Sequence, residues 1–82
     1  MFRVEWQPSA TEDLATLTML HLNRWSDIDA AEHDLDYKLR AKPLHFSQPV
    51  SEGLRRAVSE PLAFYFSIDG NQVAVVAIGW ME

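Results

Sequence analysis

The sequence predicts an α+β fold, a two-layer sandwich of order β-α-α-β-β-β in which a helical hairpin packs on a small antiparallel sheet. Three observations support this prediction. A short alternating segment opens the chain, two amphipathic helical stretches follow it, and three apolar runs separated by turn residues complete it. Because the chain has 82 residues, we expect a single domain over residues 1–82.

The opening strand and the first helix are predicted from an alternating pattern and a capping pattern. Residues 3–6 alternate, with Phe2, Val4 and Trp6 on one face, and Pro8 ends the strand. Residues 9–12 (Ser-Ala-Thr-Glu) form a capping box that predicts a helix to about His21. Its inward stripe is expected to comprise Leu14, Leu17 and either Leu20 or His21, and Met19 and Leu22 widen it.

The second helix has the clearer pattern. Residues 26–29 (Ser-Asp-Ile-Asp) are a weaker capping signal, and Pro43 stops the helix because it disfavours helical geometry at Lys42. Its inward stripe, at spacings of three and four, is Ile28, Ala31, Leu35 and Leu39. A connection of only three residues, 23–25, makes the two helices an antiparallel hairpin.

The last third of the chain predicts strands. Residues 44–52 have no period and are expected to form a loop. Strands are predicted over residues 53–58, 61–68 and 73–80, with a tight turn at Asp69-Gly70-Asn71. The continuous apolar run in the last strand predicts burial on both of its faces. The first strand is expected to join this sheet in its interior or at its edge.

Composition excludes several classes of protein. The chain has no cysteine, so it has neither disulfides nor thiolate metal sites, and it has no apolar run of membrane-spanning length. No signal peptide is recognisable, and we expect a cytoplasmic protein with no membrane association. With 12 acidic and 7 basic residues, the net charge of −5 disfavours direct nucleic-acid binding.

The only basic region combines two parts of the chain. Arg55 and Arg56 are adjacent in a predicted strand and therefore point to opposite faces. Lys38, Arg40 and Lys42 end the second helix, where they also complement the helix dipole and the preceding acids. A pair of strand arginines can hold a phosphate, although solubility and pairing with Glu52 or Glu60 explain them as well. Trp25, in the helical connection, is the tryptophan expected to be exposed and a candidate interface residue.

Catalytic and metal-site patterns have little support. His21, His33 and His45 lack the spacing of metal ligands, and no serine lies beside an evident general base. We therefore expect no metal, no cofactor and no identifiable catalytic residue.

Several short motifs together resemble one protein family. Residues 4–6 (Val-Glu-Trp), with Pro8-Ser9-Ala10 and Asp13-Leu14, resemble the opening of the RelE/ParE superfamily of bacterial type II toxins. Leu35-Asp36, Leu39 and Pro43 resemble the end of that family's second helix. Further matches in the closing strands are Gly53-Leu54-Arg55, Pro61-Leu62, Tyr65, Asp69, Val73, Val75 and Ile78.

The resemblance implies a toxin, of plasmid-stabilisation type, that is neutralised by a small antitoxin encoded beside it. RelE-like members cleave messenger RNA in the ribosome, whereas ParE-like members poison DNA gyrase. Arg55 matches a basic strand residue of the RelE-like toxins, but the next expected arginine falls at Leu62. The resemblance also implies a basic, tyrosine-bearing C-terminal segment, and the sequence up to Glu82 contains none.

These departures favour a ParE-like protein that binds a protein target rather than an enzyme, because RNA cleavage needs an acid, a base and clustered positive charge. The expected target contacts are Arg55, Arg56, Trp25, Lys38, Arg40 and Lys42. Two alternatives stay open: a RelE-like ribosome-dependent endoribonuclease with a reduced site, and a diverged, non-toxic domain with a structural role or a homodimeric state.

Overall fold

A computed structural model describes residues 1–81. The elements are β1 (Arg3–Trp6), α1 (Pro8–Leu20), a 3-10 turn (Leu22–Arg24), α2 (Trp25–Ala41), β2 (Gln48–Ser51), β3 (Leu54–Ser59), β4 (Leu62–Asp69) and β5 (Gln72–Trp80). The strands form one sheet in the order β1-β5-β4-β3-β2. Both helices pack on this sheet, α1 mainly on β5 and α2 on β3, β4 and β1. The predicted α+β class is therefore confirmed.

Two features of the sheet differ from the prediction. The sheet is mixed rather than antiparallel, because β1 lies at one edge and pairs in parallel with β5. The segment predicted as a loop over residues 44–52 contains the extra edge strand β2. All four residues of β2 are exposed and one is proline, so no apolar alternation marks the strand, which forms by pairing with β3.

The core lies between the helices and one face of the sheet. The predicted stripe of α2 is fully buried there, and Phe2, Val4 and Trp6 pack against the core from β1. Trp6 meets the buried Phe64 of β4 edge to face, with ring centroids 5.2 Å apart. The sheet members of the core are Ala57, Leu62, Phe64, Phe66, Val73, Val75 and Ile78. Burying such side chains supplies the main favourable free energy of folding.

The prediction that β5 is buried on both faces was wrong. Val73, Val75 and Ile78 are buried, whereas Ala74 and Ala77 are only partly buried. Val75 pairs with Phe66 and Ala77 with Tyr65, which leaves Val76 as an extra, bulged residue. The bulge changes the alternation, so an apolar run that looks continuous has a single core face.

The start of α1 also differs from the prediction. The helix begins at Pro8 with Gln7 as its N-cap residue, and no side chain caps it. Proline is preorganised for the first helical position, so the helix begins before the predicted capping box. The Ser9 hydroxyl instead donates to the Val76 carbonyl at 2.6 Å. The prediction that residues 26–29 cap the second helix was wrong as well, because α2 begins at Trp25 without a side-chain cap.

Asp13 completes this connection between α1 and β5. Its carboxylate accepts a hydrogen bond from the Ile78 backbone N–H at 3.0 Å, one helical turn after Ser9. β1 ends opposite Val75, and the Gln7 N–H still donates to the Val75 carbonyl. Two side chains of α1 therefore form hydrogen bonds with the backbone of β5 along its outer edge, beyond the point where β1 stops pairing with it.

The far end of α1 packs on the same strand through aromatic contact. The His21 ring stacks on Trp80 with centroids 3.7 Å apart and planes 4° from parallel. The sequence left open whether Leu20 or His21 faces inward. In the structure His21 takes this position, whereas Leu20 is 70% exposed. Among residues 1–81, neither helix has the length and apolar content that crossing a membrane requires.

Removing the Asp13 carboxylate tests the connection between α1 and β5. We expect Asp13→Ala to lower the free energy of unfolding by about 1–2 kcal/mol, because the partly buried Ile78 N–H loses its acceptor. The neighbouring Glu12→Ala is the matched control and should stay within about 0.5 kcal/mol of the wild type. Urea denaturation measures both, and equal effects of the two variants would contradict this role for Asp13.

Candidate functional site

The segment after α2 is held in place by its own backbone and by Arg55. After α2 ends, the Lys42 carbonyl accepts hydrogen bonds from the His45 and Phe46 N–H groups at 3.1 and 3.2 Å. The Ser47 hydroxyl donates to the Pro43 carbonyl at 2.5 Å. The segment therefore forms a compact turn, which we call the post-α2 turn, residues 42–47.

Arg55 fastens this turn to β3. Its Nε donates to the Ser47 hydroxyl at 2.8 Å, and its Nη2 donates to the Ser47 carbonyl at 3.1 Å. A longer contact of 3.5 Å joins Nη2 to the Leu44 carbonyl. The guanidinium is thus committed to backbone and hydroxyl acceptors of its own chain. This arrangement makes Arg55 a structural residue of the turn.

Arg56 is placed differently from its neighbour. The predicted opposition of the two side chains is confirmed: Ala57 faces the core, so Arg55 shares its side of β3 and Arg56 lies on the other. Arg56 lines a surface groove together with His45, Phe46, Ser47, Gln48 and Val58. Within residues 1–81, the Arg56 guanidinium forms no ion pair and no side-chain hydrogen bond.

The groove has a volume of about 370 Å³; we call it the β3-edge groove. It combines apolar and cationic surface. Phe46 and Val58 are 38% and 37% exposed, and the His45 ring meets Phe46 edge to face. Among residues 1–81, no carboxylate lines the groove, so Arg56 is a local positive charge on a chain whose net charge is −5.

The bases of α2 are largely paired with acids of the same helix. Lys38 contacts Asp34 and Arg40 contacts Asp36, each at 2.8 Å, as expected for residues four apart on a helix. The Lys38 ammonium also lies 5.5 Å from the centre of the Phe46 ring, beside the groove. Neither Arg40 nor Lys42 is among the residues that line the groove.

Asp34 and Glu32 have shifted pKa values on this helix. Hydrogen bonds from Lys38 and from the Ser59 hydroxyl lower the pKa of Asp34. Burial raises the pKa of Glu32, an effect that Asp29 and Asp36 reinforce and His33 opposes. The Asp34–Ser59 contact joins the middle of α2 to the end of β3.

A second exposed surface lies at the tip of the helical hairpin. Trp25 is 62% exposed, as expected, although it forms the first residue of α2 rather than part of the connection. Met19, Leu20 and Leu22 are also strongly exposed nearby in the chain. We call Met19, Leu20, Leu22 and Trp25 the hairpin tip. Such apolar exposure is typical of protein-binding surfaces.

The histidines and acids do not assemble into a metal site within residues 1–81. His21 stacks on Trp80, and His45 contacts Phe46. His33 Nδ1 lies 2.9 Å from the Asp29 carbonyl oxygen, which accepts a hydrogen bond from the ring, and this contact and the Asp29 carboxylate raise the pKa of His33.

Sequence reasoning identified Arg56 but missed the other walls of the groove. His45, Phe46, Ser47 and Gln48 fell in a segment predicted as a featureless loop. The available signal was the His45-Phe46 pair, an aromatic dipeptide two residues after the helix-ending Pro43. Nothing in the sequence indicated that this stretch would fold back against β3.

Comparison with known proteins identifies the fold. Neither a protein-family model nor a curated protein matches the sequence. Among solved structures, the chromosomal ParDE TA system from P. aeruginosa is 17% identical with a TM-score of 0.79, over 100% of this chain and 98% of that one. The RelBE2 toxin–antitoxin complex from Mycobacterium tuberculosis is 19% identical with a TM-score of 0.65, over 96% of each chain.

A third neighbour, the DinJ–YafQ complex from E. coli, is 12% identical with a TM-score of 0.57, over 98% of this chain and 93% of that one. These likenesses extend over nearly the whole of each chain. The fold is therefore that of the RelE/ParE toxins, as the motifs in the sequence implied.

The different roles of the two arginines can be tested by a matched pair of variants. Arg55→Ala should lower the free energy of unfolding by about 1–2 kcal/mol, because its charged hydrogen bonds to the post-α2 turn are lost. Arg56→Ala should change it by less than about 0.5 kcal/mol. Chemical denaturation measures both, and a larger loss for Arg56→Ala would contradict the assignment.

The Asp34 contacts predict a pH dependence. A lowered folded-state pKa means that the stabilisation is complete above the unfolded pKa of about 3.9 and is lost as the pH falls through the folded value. We expect Asp34→Asn to cost a few tenths of a kcal/mol near neutral pH, because the pair is partly exposed. The cost should vanish at low pH.

The control for this prediction is Lys38→Gln, which removes the main cause of the shift. In that variant the pKa of Asp34, followed by NMR titration of the carboxyl carbon, should move up toward its ordinary value. An unchanged titration of Asp34 would show that Lys38 is not the cause.

Proposed function

We propose, from the RelE/ParE toxin fold, that this chain is the toxin of a type II toxin–antitoxin system, which acts by binding a protein target and is neutralised by a small antitoxin. The observation that carries the proposal is the structural likeness to the ParDE TA system over the full length of the chain. The RelBE2 and DinJ–YafQ neighbours, both complexes, support an antitoxin as partner.

Binding to a protein, as in the ParE-like members, is supported by the surface of the chain. The hairpin tip exposes four large apolar side chains, of which Trp25 is the type that most often dominates protein interfaces. The net charge of −5 opposes association with the phosphate backbone of a nucleic acid. We propose a gyrase-type protein target in the cytoplasm of a bacterium.

The RelE-like alternative has less support from the site. Arg55, the residue that the resemblance matched to a basic strand residue of RelE-like toxins, is used in fastening the post-α2 turn. Arg56 remains as a half-buried cation on this strand, and among residues 1–81 no acid–base pair lines its groove. Cleavage of RNA would require positive charge and proton-transfer groups close together.

Controlled induction in a bacterial culture tests the proposed function. Wild-type protein should arrest growth, and co-expression of the product of the adjacent small reading frame should relieve the arrest. Trp25→Ser should also relieve it if the hairpin tip contacts the target, because an interface anchor is lost. Tyr37→Ser, which removes another exposed aromatic residue of α2, is the matched control and should retain the arrest.

The state of the RNA and DNA then separates the alternatives. Arrest with intact messenger RNA and inhibited gyrase supports the proposal. Messenger RNA cleaved in translating extracts would establish the RelE-like alternative. A third outcome is normal growth at good soluble expression, together with no binding between the purified protein and the gyrase of the host. That outcome would favour the diverged domain with a structural or homodimeric role.

A further inference from the structure

The connection between the two helices is apolar, whereas connections between secondary-structure elements are ordinarily polar. Four of the seven residues from 19 to 25 form the hairpin tip, and each of them is between 58% and 70% exposed. None of the four belongs to the core or packs against it. Within this segment, His21 turns inward and stacks on Trp80. The hairpin tip is therefore an apolar surface that a single copy of the chain leaves uncovered.

The area of the hairpin tip matches what the centre of a small homodimer interface requires. Four large apolar side chains at these exposures present roughly 500 Å² of surface, about a tenth of the accessible surface of 5159 Å². A standard protein interface takes a similar share, about 10% of the surface of a small protein. Two copies of the hairpin tip would together bury about 1000 Å², which is typical of weak, reversible association.

The distribution of charge allows two copies to meet at the hairpin tip. Each chain carries a net charge of −5, so two copies repel each other wherever their acidic surfaces approach. The segment from residue 14 to residue 26, which contains the whole hairpin tip, has no acidic residue. Contact through this segment therefore brings apolar surfaces together without placing carboxylates of the two copies face to face.

The rim of the hairpin tip carries both signs of charge, which suits a two-fold symmetric interface. Arg24 Nε donates to the Asp27 carboxylate at 3.1 Å, beside Trp25. A two-fold axis that brings Arg24 of one copy to Asp27 of the other also makes the reverse contact. A partner with one dominant sign of charge would meet an unfavourable charge at this rim. Charge complementarity therefore favours a second copy of the chain as the occupant.

We propose that the free chain forms a two-fold symmetric dimer through its hairpin tip, in which Trp25 of each copy packs against the apolar side chains of the other tip. The dimer itself is independent of the proposed function. One consequence rests on that function: a hairpin tip covered by a second copy cannot contact a target. The dimer is then the form that does not engage the target, and dissociation exposes the binding surface.

Sedimentation velocity on the full chain tests the association. The weight-average mass should rise from 9.4 kDa toward twice that value as the concentration is raised from about 1 to 500 μM. An interface of this size predicts a dissociation constant of about 10–100 μM. Trp25→Ser should raise this constant at least about tenfold, because the aromatic anchor is lost.

Tyr37→Ser is the matched control for this variant. Tyr37 is an aromatic residue of α2 that is 69% exposed, compared with 62% for Trp25, and it lies outside the hairpin tip. The dissociation constant of this variant should equal that of the wild type. Circular dichroism of both variants verifies that the fold is intact, as expected for substitutions of exposed side chains.

Fluorine NMR of protein labelled with fluorotryptophan shows where the copies meet. Trp6 contacts Phe64 in the core, Trp80 stacks on His21, and Trp25 is exposed. Dilution through the dissociation constant should move the resonance of Trp25 and leave that of Trp6 in place. Trp25→Phe assigns the first of these resonances.

Cross-linking gives an independent location of the interface, because the chain has no cysteine of its own. Ser26→Cys places a single thiol beside Trp25 and should give a covalent dimer with a short bismaleimide. Ser51→Cys places one at the exposed end of β2, away from the hairpin tip in the chain. This control should not be cross-linked under the same conditions.

Each contrary result overturns the inference. These results are the mass of one chain at every concentration, equal effects of Trp25→Ser and Tyr37→Ser, an unmoved Trp25 resonance, or equal cross-linking at Ser26→Cys and Ser51→Cys. A chain that stays monomeric but binds an amphipathic helical peptide at Trp25 would assign the hairpin tip to a different partner.

Failure of the proposed function is distinguishable from failure of the dimer. Growth without arrest on induction, together with dimerisation that depends on Trp25, would remove the toxin assignment and keep the dimer. Growth arrest by a chain that is monomeric at every concentration would keep the toxin assignment and remove the dimer.

Discussion

The rest of the structure depends on how the outer edge of β5 is shared between β1 and α1. β1 pairs with the first half of this strand, and Ser9 and Asp13 of α1 bond to its second half after the bulge at Val76. Backbone polar groups of a partly buried strand need partners. The first helix therefore completes the sheet as well as covering it, which fixes where α1 lies.

This arrangement also orders the two ends of the chain relative to the core. The bulge restores Ile78 to the core face and leaves Trp80 to stack with His21 at the end of α1. At the other end, the Phe2 N–H donates to the Arg40 carbonyl at 2.9 Å, which satisfies a carbonyl in the last turn of α2. A chain of 82 residues has a small core, so such connections matter to its stability.

The two adjacent arginines of β3 illustrate how the pleat of a strand gives neighbouring residues different surroundings. Arg55 is used internally, and its hydrogen bonds hold the post-α2 turn that supplies half of the residues lining the β3-edge groove. Arg56 points to the other side and lines the groove. A variant that changes both residues would therefore not distinguish the loss of a contact made by Arg56 from the loss of the turn that Arg55 holds in place.

The sequence by itself determined every element of this protein except β2, because the signals for the others are local. The period of the α2 stripe, the proline at 43 and the turn at Asp69-Gly70-Asn71 placed one helix and two strands within a residue or two. The ordered motifs of the RelE/ParE toxins pointed to the fold that the solved structures share. The sequence also predicted that Trp25 is exposed, as it is in the structure, and that Arg55 and Arg56 point to opposite faces of their strand.

Only the tertiary structure decided the pairings that cross the chain. Ser9 opens the predicted capping box and Asp13 follows directly after it, yet their partners are Val76 and Ile78, more than sixty residues away. Strand β2 carries no apolar alternation and exists because β3 offers it an edge. The groove beside Val58 arises where that pairing stops. A local pattern specifies the conformation of a segment. Which backbone groups remain unpaired depends on which distant segments of the chain pack beside each strand edge.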